Sequence, residues 1–214
     1  GRHRDLDSPM LAGLVRAWGH EAAYEGTVPD QADRVEARIE RLAAAHDVVV
    51  TTGGTSVGPK DYVRQALGSL GEVLFHRVRI RPGKPIAVAR LADYDAIAVA
   101  IPGKPVGAHA IATLVGRPFF TGESDLPVVA STAARGVDVD VEGFEYAVPV
   151  TLEGGEVTPL GHADSPLPVY EETFDPSVLS SSTRATRSDG FVLTETGFEA
   201  GEPVDVVPYP VVER

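Results

Sequence analysis

The stretch that decides the fold is VVVTTGGTSVGPKDYV, residues 48–63. It begins with a run of β-branched residues, which is typical of a strand buried on both faces, and continues with three glycines among residues 53–58. A helix is predicted directly after it. Backbone N–H groups are free donors at such a strand-to-helix turn, so the glycines indicate a phosphate site. A tight turn that merely needs glycine would show the same pattern, because the motif is neither a Walker A loop nor a dinucleotide fingerprint.

Helices and buried strands alternate on either side of this stretch. Apolar residues recur at helical spacing in residues 8–18 and again in residues 31–45. Residues 21–30 are typical of a short strand and a turn, and further strands are expected within residues 72–91 and 96–101. The alternation predicts an α/β fold, in which a parallel sheet carries helices on both faces.

The pattern changes near residues 121–130. Helical periodicity ends there, and short alternating segments follow, with turns at residues 154–155 and 196–202. Short strands with closely spaced turns predict a small all-β domain. The expected division of the chain is therefore an α/β domain over residues 1–122 and a β domain over residues 130–214.

Composition excludes several classes of protein. The 214 residues are 43% hydrophobic, which is enough for a sizeable core, and the absence of cysteine excludes disulfides and thiolate metal sites. No apolar run approaches the roughly 20 residues that cross a bilayer, and no signal peptide is visible, so we expect a cytoplasmic protein that does not enter membranes. The net charge of −12 argues against general affinity for nucleic acid or anionic membranes.

The acidity is concentrated in the second part of the chain. Residues 1–122 carry 15 Lys/Arg and 13 Asp/Glu, whereas residues 123–214 carry 4 and 18. An acidic, lysine-poor surface fits a salt-adapted, halophilic organism, because carboxylates hold hydration. A GC-rich genome also replaces lysine by arginine, and this explanation stays open.

Basic residues crowd a short span that includes two similar loops. Arg77, Arg79 and Arg90 flank RPGKP, residues 81–85, and IPGKP, residues 101–105, repeats the pattern after a buried strand. Loops of a parallel sheet emerge together at the carboxyl ends of its strands, where ligands bind. Residues 53–58, which we call the glycine loop, and these two loops therefore predict a cradle for a polyanion, although each arginine alone would be an ordinary solvated residue.

These motifs, in this order, resemble the molybdopterin molybdenumtransferase family, called MoeA in bacteria and the gephyrin E domain in animals. The resemblance is carried by TTGGTSVGPKDYVRQALGSLGEVLFHRVRIRPGKPIAVARL, residues 51–91, and by IPGKPVGAHAIATLVGRPFF, residues 101–120. Residues 5–30 resemble the opening segment of the same family, and residues 181–207 resemble its C-terminal β-barrel. The resemblance covers nearly the whole chain.

The resemblance implies a role in molybdenum cofactor biosynthesis. Residues 1–122 would form the molybdopterin-binding domain, and residues 130–214 the β-barrel. Members of the family insert molybdate into adenylylated molybdopterin with Mg²⁺, release AMP, and build the active site across a homodimer. They carry two further domains before the segment that matches this chain, so we expect residues 1–214 alone to be inactive.

The resemblance also implies the roles of individual residues. Asp61 matches an acidic residue of the family and would be catalytic and a ligand of Mg²⁺, and Lys84 would be the second catalytic residue. The implied ligand-binding residues are Gly53, Gly54, Thr55, Ser56, Gly58, Asp7, Arg81, Gly83, Pro102, Gly103 and Lys104. Ser181 or Ser182 lies near a serine of the family that faces the site.

Several positions depart from the family pattern. The family usually has Asn at the position of Asp7, Lys at that of Arg81, and PGNPVSA where this chain has Lys104 and Gly107. Arginine keeps the charge of lysine but changes its geometry. Two alternatives to the transferase stay open. The departures favour a non-catalytic pterin- or nucleotide-binding or assembly module of the same fold. The other alternative is a related adenylyltransferase or nucleotide-processing member of the fold, against which the acidic β domain argues.

Overall fold

The structure is a computed structural model that describes residues 5–55, 61–163, 168–180 and 187–214. The first part of the chain alternates helices and strands. In chain order these are α1 (Asp7–Ala17), α2 (Ala32–Ala43), β1 (Val48–Thr52), α3 (Tyr62–Leu70), β2 (Glu72–His76), β3 (Ile80–Arg81), β4 (Ala87–Leu91), β5 (Ala96–Ile101), α4 (Pro105–Ile111) and α5 (Arg117–Thr121). A π-helical turn, Ala112–Gly116, joins α4 to α5.

Four of these strands form one sheet in the order β1-β5-β4-β2. β1 and β5 are parallel, as expected. The expectation of a wholly parallel sheet needs a correction, because β4 is antiparallel to both β5 and β2. The physical reason is the short link over residues 92–95, which is long enough for an antiparallel return but not for a parallel crossover.

Helices cover both faces of this sheet, which confirms the predicted α/β class. On one face, Leu11 and Trp18 of α1 and Ile111 of α4 pack together against the sheet. On the other face, Ile39 of α2 and Leu67 of α3 pack against it. α1, α2 and α3 each bury one apolar stripe and leave their polar side in water, as their sequence periodicity predicts, whereas most residues of α4 are buried.

The second part of the chain forms a closed β-barrel. Its elements are β6 (Val129–Ala133), β7 (Glu145–Glu153), β8 (Glu156–Pro159), α6 (Pro176–Ser180), β9 (Gly190–Thr194), β10 (Pro203–Pro208) and α7 (Tyr209–Val212). The strands follow the order β7-β8-β6-β10-β9, and β9 returns to pair with β7. Each of these five strands is therefore hydrogen-bonded to a neighbouring strand on either side. Tyr146, Val148 and Val206 fill the core of the barrel. The predicted α/β region followed by a small β-barrel is confirmed.

The barrel is joined to the first part of the chain in two places. β3 pairs in parallel with β7, so that Arg81 lies opposite Tyr146 in the barrel sheet. Near the C-terminus, Nε1 of Trp18 donates a hydrogen bond to the carbonyl of Val212 at 2.8 Å. The boundary between a domain of residues 1–122 and a domain of residues 130–214 stays a prediction. β3 belongs to the first range but pairs with a strand of the second.

One expected element is absent from the described part of the chain. Residues 21–29 form neither a strand nor a helix, and most of them are exposed. A strand needs a hydrogen-bonded neighbour, and β1, at the end of the sheet, pairs with β5 alone. None of the described helices is long and apolar enough to cross a membrane.

Candidate functional site

The strand register brings the predicted loops to one end of the sheet. Thr52, the last residue of β1, lies opposite Ile101, the last residue of β5. Ala87, the first residue of β4, lies opposite Ala100 on one side and His76 on the other. The glycine loop, the 102–104 loop and the 82–85 loop therefore leave the sheet at the same end, which we call the loop end.

Two of these loops touch through their backbones. A Cβ on Gly103 would lie only 2.8 Å from the Cα of Gly53, and the Gly53 N–H donates to the carbonyl of Ile101 at 3.0 Å. Gly53 and Gly54 have φ angles of 78° and 67°, a region that favours glycine. Glycine is needed here both for the close approach and for the turn, and the resulting backbone is open to a ligand.

The third loop is fitted against α4. Gly83 has a φ of 133°, and a Cβ on it would lie 2.4 Å from Cγ1 of Ile111. The Arg81–Pro82 peptide bond before it is cis. Gly107 of α4 faces the same glycine, because a Cβ on Gly107 would lie 3.4 Å from the Gly83 nitrogen. Gly107, one of the departures from the family pattern, thus packs directly against this loop.

Asp61 combines a structural contact with a free oxygen. It is the N-cap of α3, and its Oδ1 accepts a hydrogen bond from the Arg64 N–H at 3.1 Å. The residue is only 4% exposed, and its Oδ2 is buried without a hydrogen-bond partner among the described residues. Burial raises the pKa of Asp61, and the bond from Arg64 together with the charges of His76 and Arg77 opposes this shift.

His76 lies beside both described ends of the glycine loop. It ends β2, and its ring interacts with the Thr55 backbone within the loop and with the Asp61 charge after it. Burial lowers the pKa of His76, and Arg64 and Arg77 lower it further. The sequence alone places His76 near the predicted cradle, and the spacing of the histidines gives no metal-site signal. Which groups the ring of His76 contacts depends on the register of β2 against β4.

Two cations face the barrel, Arg81 at the end of β3 and Lys84 in the 82–85 loop. The guanidinium of Arg81 lies 4.5 Å from the ring centre of Phe144, and the Lys84 ammonium lies 5.1 Å from the same ring centre. Arg81 also forms an ion pair with Asp140 at 3.4 Å, and the hydroxyl of Tyr146 donates to this carboxylate at 2.7 Å. The barrel thus contributes Asp140 and Phe144 to a loop in which the sequence had indicated only Arg81, Gly83 and Lys84.

The first predicted ligand residue, Asp7, lies at the start of α1. It is 7% exposed, and its Oδ1 has no hydrogen-bond partner among the residues that the structure describes. Burial and the charge of Asp5 raise the pKa of Asp7. Asp5 and Ser8, on either side of Asp7, line the same large cavity of about 1330 Å³ as Gly53 and Gly54.

Comparison with known proteins gives the family of the chain. The model of a family described as "Probable molybdopterin binding domain" matches residues 1–122. The chain belongs to this family. Over 96% of its length it is similar to a Methanocaldococcus jannaschii protein named for molybdopterin biosynthesis, with 29% identity over 211 residues. A molybdopterin molybdenumtransferase of a Nostoc species is 39% identical over 107 residues, which cover 49% of this chain.

A solved structure shows the same fold over most of the chain. The crystal structure of a molybdopterin biosynthesis MoeA protein from Pyrococcus horikoshii superposes with a TM-score of 0.76 at 24% identity, and the match covers 97% of this chain. This molybdopterin-binding family member spans about half the length of these two relatives. The matches cover 49% of the P. horikoshii protein and 47% of the M. jannaschii protein.

Within this family member, the predicted site residues fall into four groups. Gly53, Gly54, Thr55, Asp61, Pro102, Gly103 and Lys104 lie at the loop end together with Gly83 and Lys84. The guanidinium of Arg81, like the ammonium of Lys84, lies beside the Phe144 ring of the barrel, and Asp7 is at the start of α1. Ser56, Gly58, Ser181 and Ser182 lie outside the described residues.

Proposed function

We propose that this chain binds molybdopterin, or its adenylylated form, at the loop end of the sheet and acts in molybdenum cofactor biosynthesis. The observation that carries the proposal is the contact between Gly53 and Gly103, which exposes two stretches of backbone side by side. The membership of residues 1–122 in the molybdopterin-binding family supports it. The similarity to a Nostoc protein named as a molybdopterin molybdenumtransferase supports the role in molybdenum cofactor biosynthesis.

The loop end has the groups that a phosphorylated ligand needs. Backbone N–H groups in a positive-φ turn form a concave donor surface for an anion. Lys104 is exposed directly before α4, and Lys84 is exposed on the neighbouring loop. Gly53 and Gly103 let the ligand approach the backbone closely, while the two ammonium groups balance its charge.

Asp61 fits the role of a Mg²⁺ ligand in part. Mg²⁺ is usually held by one or two carboxylates together with phosphate oxygens and water. Asp61 supplies one buried carboxylate oxygen that no described group occupies, and the described residues contain no cluster of three or more metal-ligating side chains. The ion would supply positive charge between the phosphates and an incoming oxyanion. The other oxygen of Asp61 accepts the Arg64 N–H and caps α3.

We further propose that insertion of molybdate, the anionic substrate, takes place in a longer, dimeric protein. The relatives are about twice as long as this chain, as the 47% coverage of the M. jannaschii protein shows. We expect residues 1–214 to bind the pterin but not to release AMP from adenylylated molybdopterin when molybdate is added. Release of AMP by this chain alone would contradict that part of the proposal.

The binding step can be tested with two matched glycines. Gly53 and Gly154 both have a left-handed backbone, with φ of 78° and 62°, and neither has an atom closer than 4.0 Å to a new Cβ. Gly53→Ala and Gly154→Ala therefore carry comparable backbone strain. In calorimetric titrations with AMP, we expect Gly53→Ala to weaken binding at least about tenfold, equal to about 1.4 kcal/mol, and Gly154→Ala to leave it unchanged. Equal affinities for all three proteins would contradict the site.

A further inference from the structure

The ring of Phe144 lies beside two cations of the first part of the chain. The Arg81 guanidinium is 4.5 Å and the Lys84 ammonium 5.1 Å from its centre. Phe144 directly precedes β7, and β7 is held to β3 by the Glu145 N–H, which donates to the carbonyl of Arg79 at 2.8 Å. The pairing of these strands therefore fixes the ring next to the loop that carries Lys84.

The two cations are not equivalent. Arg81 has a counter-ion in Asp140, at 3.4 Å. Lys84 is exposed, and none of the ion pairs among the residues described here involves it. The aromatic face attracts a cation without neutralising its formal charge, so the charge of Lys84 stays available for a ligand.

We propose that Phe144 is a positioning residue of the ligand site, which holds the Lys84 ammonium at the loop end before the ligand binds. This inference rests on the proposed function. A lysine side chain loses much rotamer freedom when it binds an anion, and a side chain that is already restrained loses less. The barrel thereby contributes to ligand affinity through one aromatic ring, although Lys84 makes the contact with the anion.

The position of Lys84 can be observed without any ligand. The chain has three lysines, Lys60, Lys84 and Lys104. Reductive ¹³C-dimethylation keeps their charge and gives one NMR signal for each, assigned by single Lys→Arg substitutions. We expect the Lys84 signal to be shifted upfield by the ring of Phe144, and Phe144→Leu to remove the shift. A Lys84 signal that Phe144→Leu leaves in place would overturn the proposal.

The effect on binding is tested by a double-mutant cycle with AMP as the probe. Phe144→Leu should weaken AMP binding about two- to fivefold, the size of an exposed cation–π contact, and Phe144→Tyr should keep the affinity. In the Lys84→Gln background, Phe144→Leu should have no effect. A purely structural role of Phe144 would give the same loss in both backgrounds, and that result would overturn the proposal.

Controls separate this inference from the proposed function. Phe119→Leu removes another half-exposed aromatic ring, 50% exposed and on α5, and should leave AMP binding unchanged. If Phe144→Leu does not fold by circular dichroism, Phe144→Met is used in the same cycle. An unmodified chain that binds no AMP counts against the proposed function, whereas binding that Phe144→Leu does not weaken counts against Phe144 alone.

Discussion

The backbones of Gly53 and Gly103 meet at the loop end of the sheet, where a Cβ on Gly103 would lie 2.8 Å from the Cα of Gly53. Because the obstructing atom belongs to the backbone, it cannot rotate away. Gly103→Ala should therefore push the two loops apart and cost about 1–3 kcal/mol of unfolding free energy. Gly13→Ala is the control, since this helical glycine has no atom within 4 Å of a new Cβ. Urea denaturation measures both, and a Gly103→Ala protein as stable as Gly13→Ala would contradict the close contact.

The charges of Arg81 and Lys84 should contribute differently to ligand binding. Arg81 is paired with Asp140, whereas Lys84 has no ion-pair partner among the described residues. We expect Lys84→Gln to weaken AMP binding at least about tenfold and Arg81→Gln to weaken it less than about threefold. Arg81→Gln should instead lower the midpoint of thermal unfolding, because it removes the contacts with Asp140 and Phe144. The reverse order of the two affinities in calorimetric titrations would contradict this assignment.

The sequence predicts what depends on local pattern and misses what depends on long-range pairing. The helical stripe of Leu11 and Trp18 and the turn at Gly53 could be predicted, because periodicity and backbone requirements are local. The contact between Arg81 and Asp140 could not, since 59 residues separate them and only the pairing of β3 with β7 brings them together. The sequence places Arg81 with the ligand, and the structure places its guanidinium against the barrel.

The contrast between local pattern and long-range pairing also explains the other differences between the predicted and the observed structure. The antiparallel direction of β4 follows from the link of four residues, 92–95, between β4 and β5. The sequence does not show where β4 ends and β5 begins, so the length of this link could not be read from it. Asp61 was correctly placed at the start of a helix, where a carboxylate is favourable. That one of its oxygens is buried and free depends on the surrounding fold, so no local pattern could have indicated it.

Asp61→Asn should separate helix capping from metal binding. Asparagine caps helices as well as aspartate, so α3 should stay intact. Burial raises the pKa of Asp61, so the native form takes up a proton more readily than the unfolded form, and this carboxylate opposes folding above its raised pKa. The variant should therefore be no less stable than the wild type at neutral pH. As the pH falls toward 3.8, the ordinary pKa of aspartate, the wild type should gain stability and the variant should not.

The effect of Asp61→Asn on activity is tested in the longer, dimeric protein that we propose for molybdate insertion. We expect pterin binding to be retained, the dependence on Mg²⁺ to weaken, and molybdate insertion to fall at least about tenfold, equal to about 1.4 kcal/mol of barrier. Unchanged turnover with unchanged Mg²⁺ dependence would leave Asp61 as a helix cap only. A full-length wild type that binds the pterin but never releases AMP would favour the non-catalytic binding module instead.

The acidic second part of the chain should depend on salt. Residues 123–214 carry 18 acidic and 4 basic residues, and repulsion between like charges grows as ionic strength falls. We expect limited proteolysis to cut the barrel region faster at low salt than in molar KCl, and the region before residue 122 to change less. Equal resistance in both conditions would count against salt adaptation and leave genome composition as the explanation for the excess of arginine over lysine.

Amide hydrogen exchange with adenylylated molybdopterin locates the ligand directly. If the ligand binds at the loop end, exchange should slow at residues 53–55 and 103–104, where the two glycine backbones meet. The β7–β8 hairpin at Gly154 and Gly155 lies in the barrel, and its exchange should not change. Protection of residues 53–55 and 103–104 is the result that we predict. Binding that leaves these amides unprotected and protects another part of the chain would contradict the proposed site.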